Sequence, residues 1–250
     1  MSTRVHRVPD EFHLESGLHS RFAFVVGAGA AGVAFARALL RRRHEGWHMS
    51  LTRRNSASAK ELREQKDNEG WGSRGVAVYP LDPIDGQATA DLGARVAAFG
   101  KIELLILASG QAILDSQCVS EAAASFQNVS ANFLTKATAY DAFEKNRHLA
   151  PNADVVVVSS RVLDFAQNAP EIADQQGYRA SILALEGWVQ SLEGVPGQSH
   201  RFHTLRMPLI VSPTADLYRG RGIVPADYPL VDPLQYAAAE LEKIFGAPKP

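Results

Sequence analysis

Phe22-Ala23-Phe24-Val25-Val26-Gly27-Ala28-Gly29-Ala30-Ala31-Gly32 is the stretch whose reading decides the fold. Five apolar residues in succession read as a strand buried on both faces, as strands of a parallel sheet are. Glycines follow at G-x-G-x-x-G spacing, and Ala34–Arg43 then has helical spacing. Strand, glycine turn and helix in that order make a phosphate-binding turn. Gly27 permits the tight turn, Gly29 lets backbone approach a pyrophosphate, and Gly32 allows the helix to pack closely on the strand. The helix N-terminus adds unpaired N–H groups and a partial positive charge.

Beyond this unit the same alternation repeats. Short apolar runs stand at Met49–Thr52, Val76–Tyr79, Leu104–Leu107, Val155–Val158 and Phe202–Leu205, with helical spacing in Ala59–Asp67, Ala88–Phe99, Ala122–Asn146 and Tyr178–Leu192. Repeated strand–helix alternation predicts an α/β fold: a doubly wound parallel sheet of Rossmann type, three layers deep, in a single domain over residues 21–250. Residues 1–20 are polar and read as an N-terminal arm, not a signal peptide. Gly46 after the basic Arg41-Arg42-Arg43 is a helix stop, Asn68–Gly75 a loop, and Ala215–Pro233, rich in Gly, Pro and Tyr, a long irregular excursion on the substrate side.

Composition narrows the class. There are 26 Lys+Arg against 27 Asp+Glu, a formal net charge of −1, which disfavours a general binder of nucleic acid or anionic membrane. Cys118, the one cysteine, cannot form an internal disulfide, so no oxidising compartment is indicated. No run approaches the roughly 18 apolar residues of a membrane span. The expectation is a soluble, cytoplasmic protein.

The end of the second strand chooses between nucleotides. An NAD site usually carries Asp or Glu about 20 residues after the glycines, on the ribose 2′-hydroxyl. Here Met49–Thr52 runs into Arg53-Arg54-Asn55, with no acid. A guanidinium there can clasp a 2′-phosphate in a bidentate grip, so Arg53 and Arg54 favour NADP(H), against the alternative of a solvated arginine pair.

Taken in order, the remaining motifs resemble the short-chain dehydrogenase/reductase family over nearly the whole chain. Leu51–Asn55 resembles the second-strand ending of its NADP-dependent members. Leu81-Asp82-Pro83-Ile84-Asp85 resembles the acidic segment after strand three, where Asp82 would meet the adenine ring. Phe99–Gly110 resembles the stretch ending in Asn-Asn-Ala-Gly, with Ser109 and Gly110 at its close. Asn132 falls at the family's active-site Asn, and Ser160, after Val155–Val158 and Ser159, at its catalytic Ser. Tyr178-Arg179-Ala180-Ser181-Ile182 lies on Tyr-x-x-x-Lys. Met207–Thr214 falls on the Pro-Gly segment beside the nicotinamide, bringing Pro208 and Val211 to the cofactor. The resemblance implies reduction of a carbonyl or related group on a small organic substrate at the expense of NADPH, with Tyr178 as proton donor, Ser160 on the substrate oxygen and Asn132 supporting a water relay. It also implies a homodimer or homotetramer through Ala122–Asn146 and Tyr178–Leu192.

Departures from the pattern concentrate on cofactor placement. The glycine spacing is that of the open dinucleotide fold, not Thr-Gly-x-x-x-Gly-x-Gly. Leu107 and Ala108 replace the two Asn, Leu209 and Pro213 replace Gly and Thr, and Ile182 stands where the family has its catalytic Lys. An ammonium stabilises a phenolate by roughly 4 kcal/mol at about 4 Å and an effective dielectric near 20. That is about three pKa units, and Ile182 supplies none of it. An untuned phenol stays protonated at neutral pH, which suits reduction better than oxidation. Substitute cations are Lys136, four residues after Asn132 and on its helix face, and Arg161, directly after Ser160. Arg179 is turned away by its one-residue step from Tyr178.

Two alternatives stay open: a catalytically silent nucleotide-binding or scaffolding protein, and a non-redox enzyme on the same fold. The eight His show no metal spacing, His200 and His203 included, and G-x-S-x-G is absent. Asp164, Glu171 and Asp174 read as loop decoration. Arg219 and Arg221 are candidates to meet an acidic substrate.

Overall fold

The computed structural model describes residues 20–42, 45–71, 75–164, 175–222 and 227–247. The expected arm, except its last residue, and Glu171 and Asp174 lie outside them. Among the described residues six strands form where β-branched and large apolar residues run together: β1 (Arg21–Val26), β2 (Trp47–Arg53), β3 (Val76–Pro80), β4 (Ile102–Leu107), β5 (Leu149–Ser160) and β6 (Arg201–Met207). They make one parallel sheet in the order β3-β2-β1-β4-β5-β6, the doubly wound order. The order reverses between β1 and β4, so their C-terminal ends open a crevice at the topological switch point.

Helices cover both faces. α1 (Ala30–Arg41), α2 (Ser56–Asn68) and α8 (Pro233–Phe245) lie on one side, and α3 (Gly86–Ala97), α5 (Thr135–Lys145) and α6 (Gln176–Glu193) on the other. α4 (Glu121–Val129) packs on α6. Period-two alternation divides each strand between two cores. On β1, Ala23 and Val25 join the α1 side, while Phe24 and Val26 join the α5 side, where Phe24 meets the Phe143 ring at 4.7 Å. Full burial of one such ring is worth about 1.5–3 kcal/mol.

The expected strands and helices are found, with shifted edges. β5 begins six residues earlier than its apolar run, because the polar Asp154 sits inside it, held by Arg201 (2.7 Å) and His203 (2.8 Å). Ala122–Asn146 is not one uniform helix: a π-helical turn, Ser130–Leu134, joins α4 to α5. The irregular excursion over Ala215–Pro233 is corrected by a further helix, α7 (Pro213–Gly220), and by the start of α8 at Pro233. Asp232 caps α8 by accepting from the N–H groups of Leu234 and Gln235, with Pro233 in the first turn.

Candidate active site

Gly27 adopts φ +85°, and a methyl there would collide with the backbone of Ser109. A Cβ on Gly32 would fall 2.5 Å from the Gly27 carbonyl oxygen. These two glycines are therefore needed by the fold itself. Gly29 is different: nothing lies within 4 Å of a Cβ placed on it. It caps α1 without a side-chain hydrogen bond, and α1 has no acid in its first turn. The turn is pinned from β2, where Thr52 Oγ1 accepts from Gly27 N at 3.0 Å and Thr52 O accepts from Ala28 N at 2.8 Å. Open backbone before an uncapped helix N-terminus is what an anion site requires.

Arg53 ends β2 beside this turn. Its Nε is buried with no hydrogen-bond partner among the described residues. Burial lowers its pKa from the ordinary arginine value, and Glu61 partly opposes that shift. A partly desolvated guanidinium with an unused donor fits an incoming phosphate. Arg54 and Asp82 are exposed, and Asp82 Oδ1 accepts from Ile84 N.

A cavity of about 550 Å³ opens at the C-terminal ends of β4 and β5. Its wall brings together Gly29 and Ala30 of the glycine turn, Ser109 and Gly110, Asn132, Ser160, Tyr178 and Pro208. Val211 is exposed and off this wall. A second cavity, about 480 Å³ and lined by Lys101, Arg147 and His200, lies at the opposite ends of the strands, away from the crevice where such sheets bind ligands.

Tyr178 sits in the first turn of α6. Asp115 fixes that turn by accepting from Gln176 N (2.9 Å) and Gly177 N (3.3 Å). Burial raises the Tyr178 pKa above its ordinary value, and a hydrogen bond from Ser160 lowers it by less. The Ser160 hydroxyl in turn accepts from Val162 N at 3.2 Å. Ser159, one step along the strand, donates to Glu186, which also holds Arg206. Ile182 is buried in an apolar cluster with Val162, Leu163 and Tyr178.

Asn132 spends its side chain on structure. Its Nδ2 donates to Gln111 O (2.8 Å), Asn128 O (2.9 Å) and Ser181 Oγ (3.3 Å), and its Oδ1 accepts from Gln111 N (2.9 Å). It clamps the segment after β4 against the π-helical turn, a feature frequent at functional sites. Its main-chain oxygen accepts from Lys136 Nζ at 2.9 Å. Of the other two cations, Arg161 pairs with Asp164 at 3.0 Å and Arg179 donates to Val162 O at 2.9 Å. Thr52, Asp115, Asn128 and Thr135, which bonds Ser109 at 3.0 Å, are supports that sequence reading did not single out. Asp115 lies 61 residues before its partner Gln176, a separation that carries no local signal.

No family model matches the sequence, and no curated protein matches it. Solved structures do resemble it. A variant of actinorhodin polyketide ketoreductase with NADPH shares 16% identity at a TM-score of 0.71, covering 92% of this chain and 91% of that one. A short-chain dehydrogenase from Burkholderia cenocepacia in complex with NADP shares 21% at 0.67, covering 91% of each. An alcohol dehydrogenase from the archaeon Thermococcus sibiricus, complexed with 5-hydroxy-NADP, shares 21% at 0.67, covering 92% of each. The fold is that of the short-chain dehydrogenases/reductases. No helix among the described residues is long and apolar enough to cross a membrane, and no group of metal-ligating side chains is found among them.

Proposed function

We propose that this chain is a divergent short-chain dehydrogenase/reductase that uses NADPH to reduce a carbonyl or related group on a small organic substrate. One observation carries the reading: a single cavity joins the open turn at Gly29 to Ser160 and Tyr178. The NADP and NADPH complexes among the similar structures support it. Gly29 with the first N–H groups of α1 would hold the pyrophosphate, and Arg53 the 2′-phosphate. When bound, NADPH supplies the hydride that reaches the carbonyl carbon.

The chain's own residues manage the oxygen. Tyr178, a phenol that is protonated at neutral pH and that burial holds further toward the protonated form, gives its proton to the substrate oxygen. Ser160 donates a hydrogen bond to that oxygen as charge grows on it. The apolar surface of Ile182, Val162 and Leu209 keeps water from the proton donor. α4 and α6 pack together and leave Phe126 and Leu183 exposed, which supports the homo-oligomer expected along these helices.

The test is titration with NADPH and NADH, then turnover of a panel of small ketones and aldehydes. Tyr178→Phe should lower kcat by about 10²–10⁴-fold while NADPH still binds. A specific observation favours a second reading, a silent nucleotide binder: Ile182 is packed into an apolar cluster where the resemblance expects a cation. NADPH binding with no turnover of any carbonyl in the panel selects it.

A further inference from the structure

Lys136 is 2% exposed, yet it lies on the wall of the cavity that holds Ser160 and Tyr178. Among the described residues its ammonium has one protein hydrogen bond, to the neutral carbonyl of Asn132. No carboxylate among the described residues pairs with it. Among the described residues the one acid on the cavity wall, Asp164, is taken by Arg161 and Arg206. A buried ammonium normally has an anionic partner, because removing the charge from water is costly. Its Nζ sits beside Gly110, 3.6 Å from where a Cβ on that glycine would stand. That glycine is three residues past the end of β4, across the crevice from Arg53 on β2.

We propose that Lys136 is the cofactor-binding cation of this cavity, and that its ammonium takes an acceptor oxygen of the second ribose, the one bearing nicotinamide. The inference rests on the nucleotide reading above and adds to it the residue that stands in for the cation missing at Ile182. The placement follows from the ends of the site. Arg53 and the α1 N-terminus lie toward the β1–β2 side, so the half of a dinucleotide without the 2′-phosphate falls toward β4, where Lys136 waits. Two of its three donor hydrogens are uncommitted among the described residues.

A proton linkage follows. Burial alone brings the Lys136 pKa down to about 7. The charged residues of the packed elements, Asp91 and Arg95 on α3, Arg179, Glu186 and Glu193 on α6, and Asp154 on β5, contribute no shift to it. Tyr178, Tyr218 and Tyr228 share the cavity wall with Arg161 and Asp164. An acceptor oxygen favours the charged amine, so binding raises the pKa and takes up a proton at pH 8.

The experiment is calorimetric titration of the full chain at pH 8, in two buffers of different ionisation enthalpy. NADPH is compared with adenosine 2′,5′-bisphosphate, which carries the 2′-phosphate half and lacks the second ribose. The expected result is uptake approaching about one proton more for NADPH than for the bisphosphate. Lys136→Met should abolish the difference, weaken NADPH about tenfold or more, and leave the bisphosphate within about twofold. Equal proton counts for the two ligands, or unchanged NADPH affinity in Lys136→Met, would overturn the inference while leaving the nucleotide reading in place. Failure of the wild-type chain to bind NADPH would overturn both. Should the variant not fold, the wild-type proton count decides alone.

Discussion

Ile182 packs against Tyr178 one helical turn later on α6, and no charge reaches the phenol from that position. Ser160 beside the tyrosine favours the phenolate, but burial outweighs it and leaves the pKa raised. Proton donation is therefore ready at neutral pH, while formation of the phenolate is not. The two directions of one reaction should respond differently to pH. Reduction is expected to be insensitive to Tyr178 ionisation between pH 6 and 9, and oxidation of the product alcohol should climb steadily with alkalinity. Steady-state rates for a single ketone–alcohol pair across that range check this; oxidation already at its plateau near pH 7 is the contrary result.

The glycine turn separates folding from binding. Gly29→Ala meets no neighbour within 4 Å and keeps an ordinary φ of −72°, so its melting temperature should stay close to the parent's while NADPH affinity falls. Gly32→Ala drives a methyl into the Gly27 carbonyl and should cost about 1–3 kcal/mol of stability. Gly27→Ala adds a positive φ to its collision and should be the worst of the three. Thermal unfolding beside nucleotide titration distinguishes them, and an unstable Gly29→Ala protein would show that this glycine serves packing.

Arg53 and Arg54 are adjacent yet unequal. Arg53 is partly buried with an unused Nε, whereas Arg54 is exposed. Arg53→Ala should weaken NADPH by about 10- to 100-fold, the worth of charge-assisted hydrogen bonds, and barely touch NADH. Arg54→Ala should change either nucleotide by only a few-fold. Dissociation constants for both cofactors with both variants decide the matter, and equal losses would assign the 2′-phosphate to the pair.

Lys136 also ties stability to pH. Its folded pKa, about 7, lies below the ordinary 10.5, so between these values the unfolded chain binds more protons than the folded one. Stability from this group therefore rises as pH climbs from 7 to 10.5, and is lost as pH falls back to 7. Lys136→Met removes the dependence. The free variant should be more stable than the parent at pH 7 by a few kcal/mol, with the gap closing toward pH 10. Denaturant melts at several pH values measure it; a variant less stable than the parent at pH 7 would mean that the amine supports the fold.

Much of the architecture was legible because burial on both faces writes itself as runs such as Val155–Val158 and Leu104–Leu107. The Gly27–Gly32 spacing likewise marks the turn. Less visible was what depends on distant partners. Asp154 interrupts the apolar pattern of β5, and only its pairing with Arg201 and His203 explains its burial. α7 and α8 escaped because prolines and tyrosines obscured the period, although Asp232-Pro233 carries a helix-start signal. Within the candidate site, Asn132, Ser160 and Tyr178 could be named only through the family resemblance of the segments that carry them. The commitment of the Asn132 side chain to Gln111 could not, because it depends on a π-helical turn that no residue pattern announces.

The proposed function stands or falls on NADPH binding through the open turn at Gly29 and the side chain of Arg53. Direct titration of the full chain with NADPH and with NADH, followed by nucleotide fluorescence or calorimetry, tests it. The expected result is saturable 1:1 binding of NADPH, at least about tenfold tighter than NADH. No saturable binding of either nucleotide, or equal affinity for the two, would contradict it.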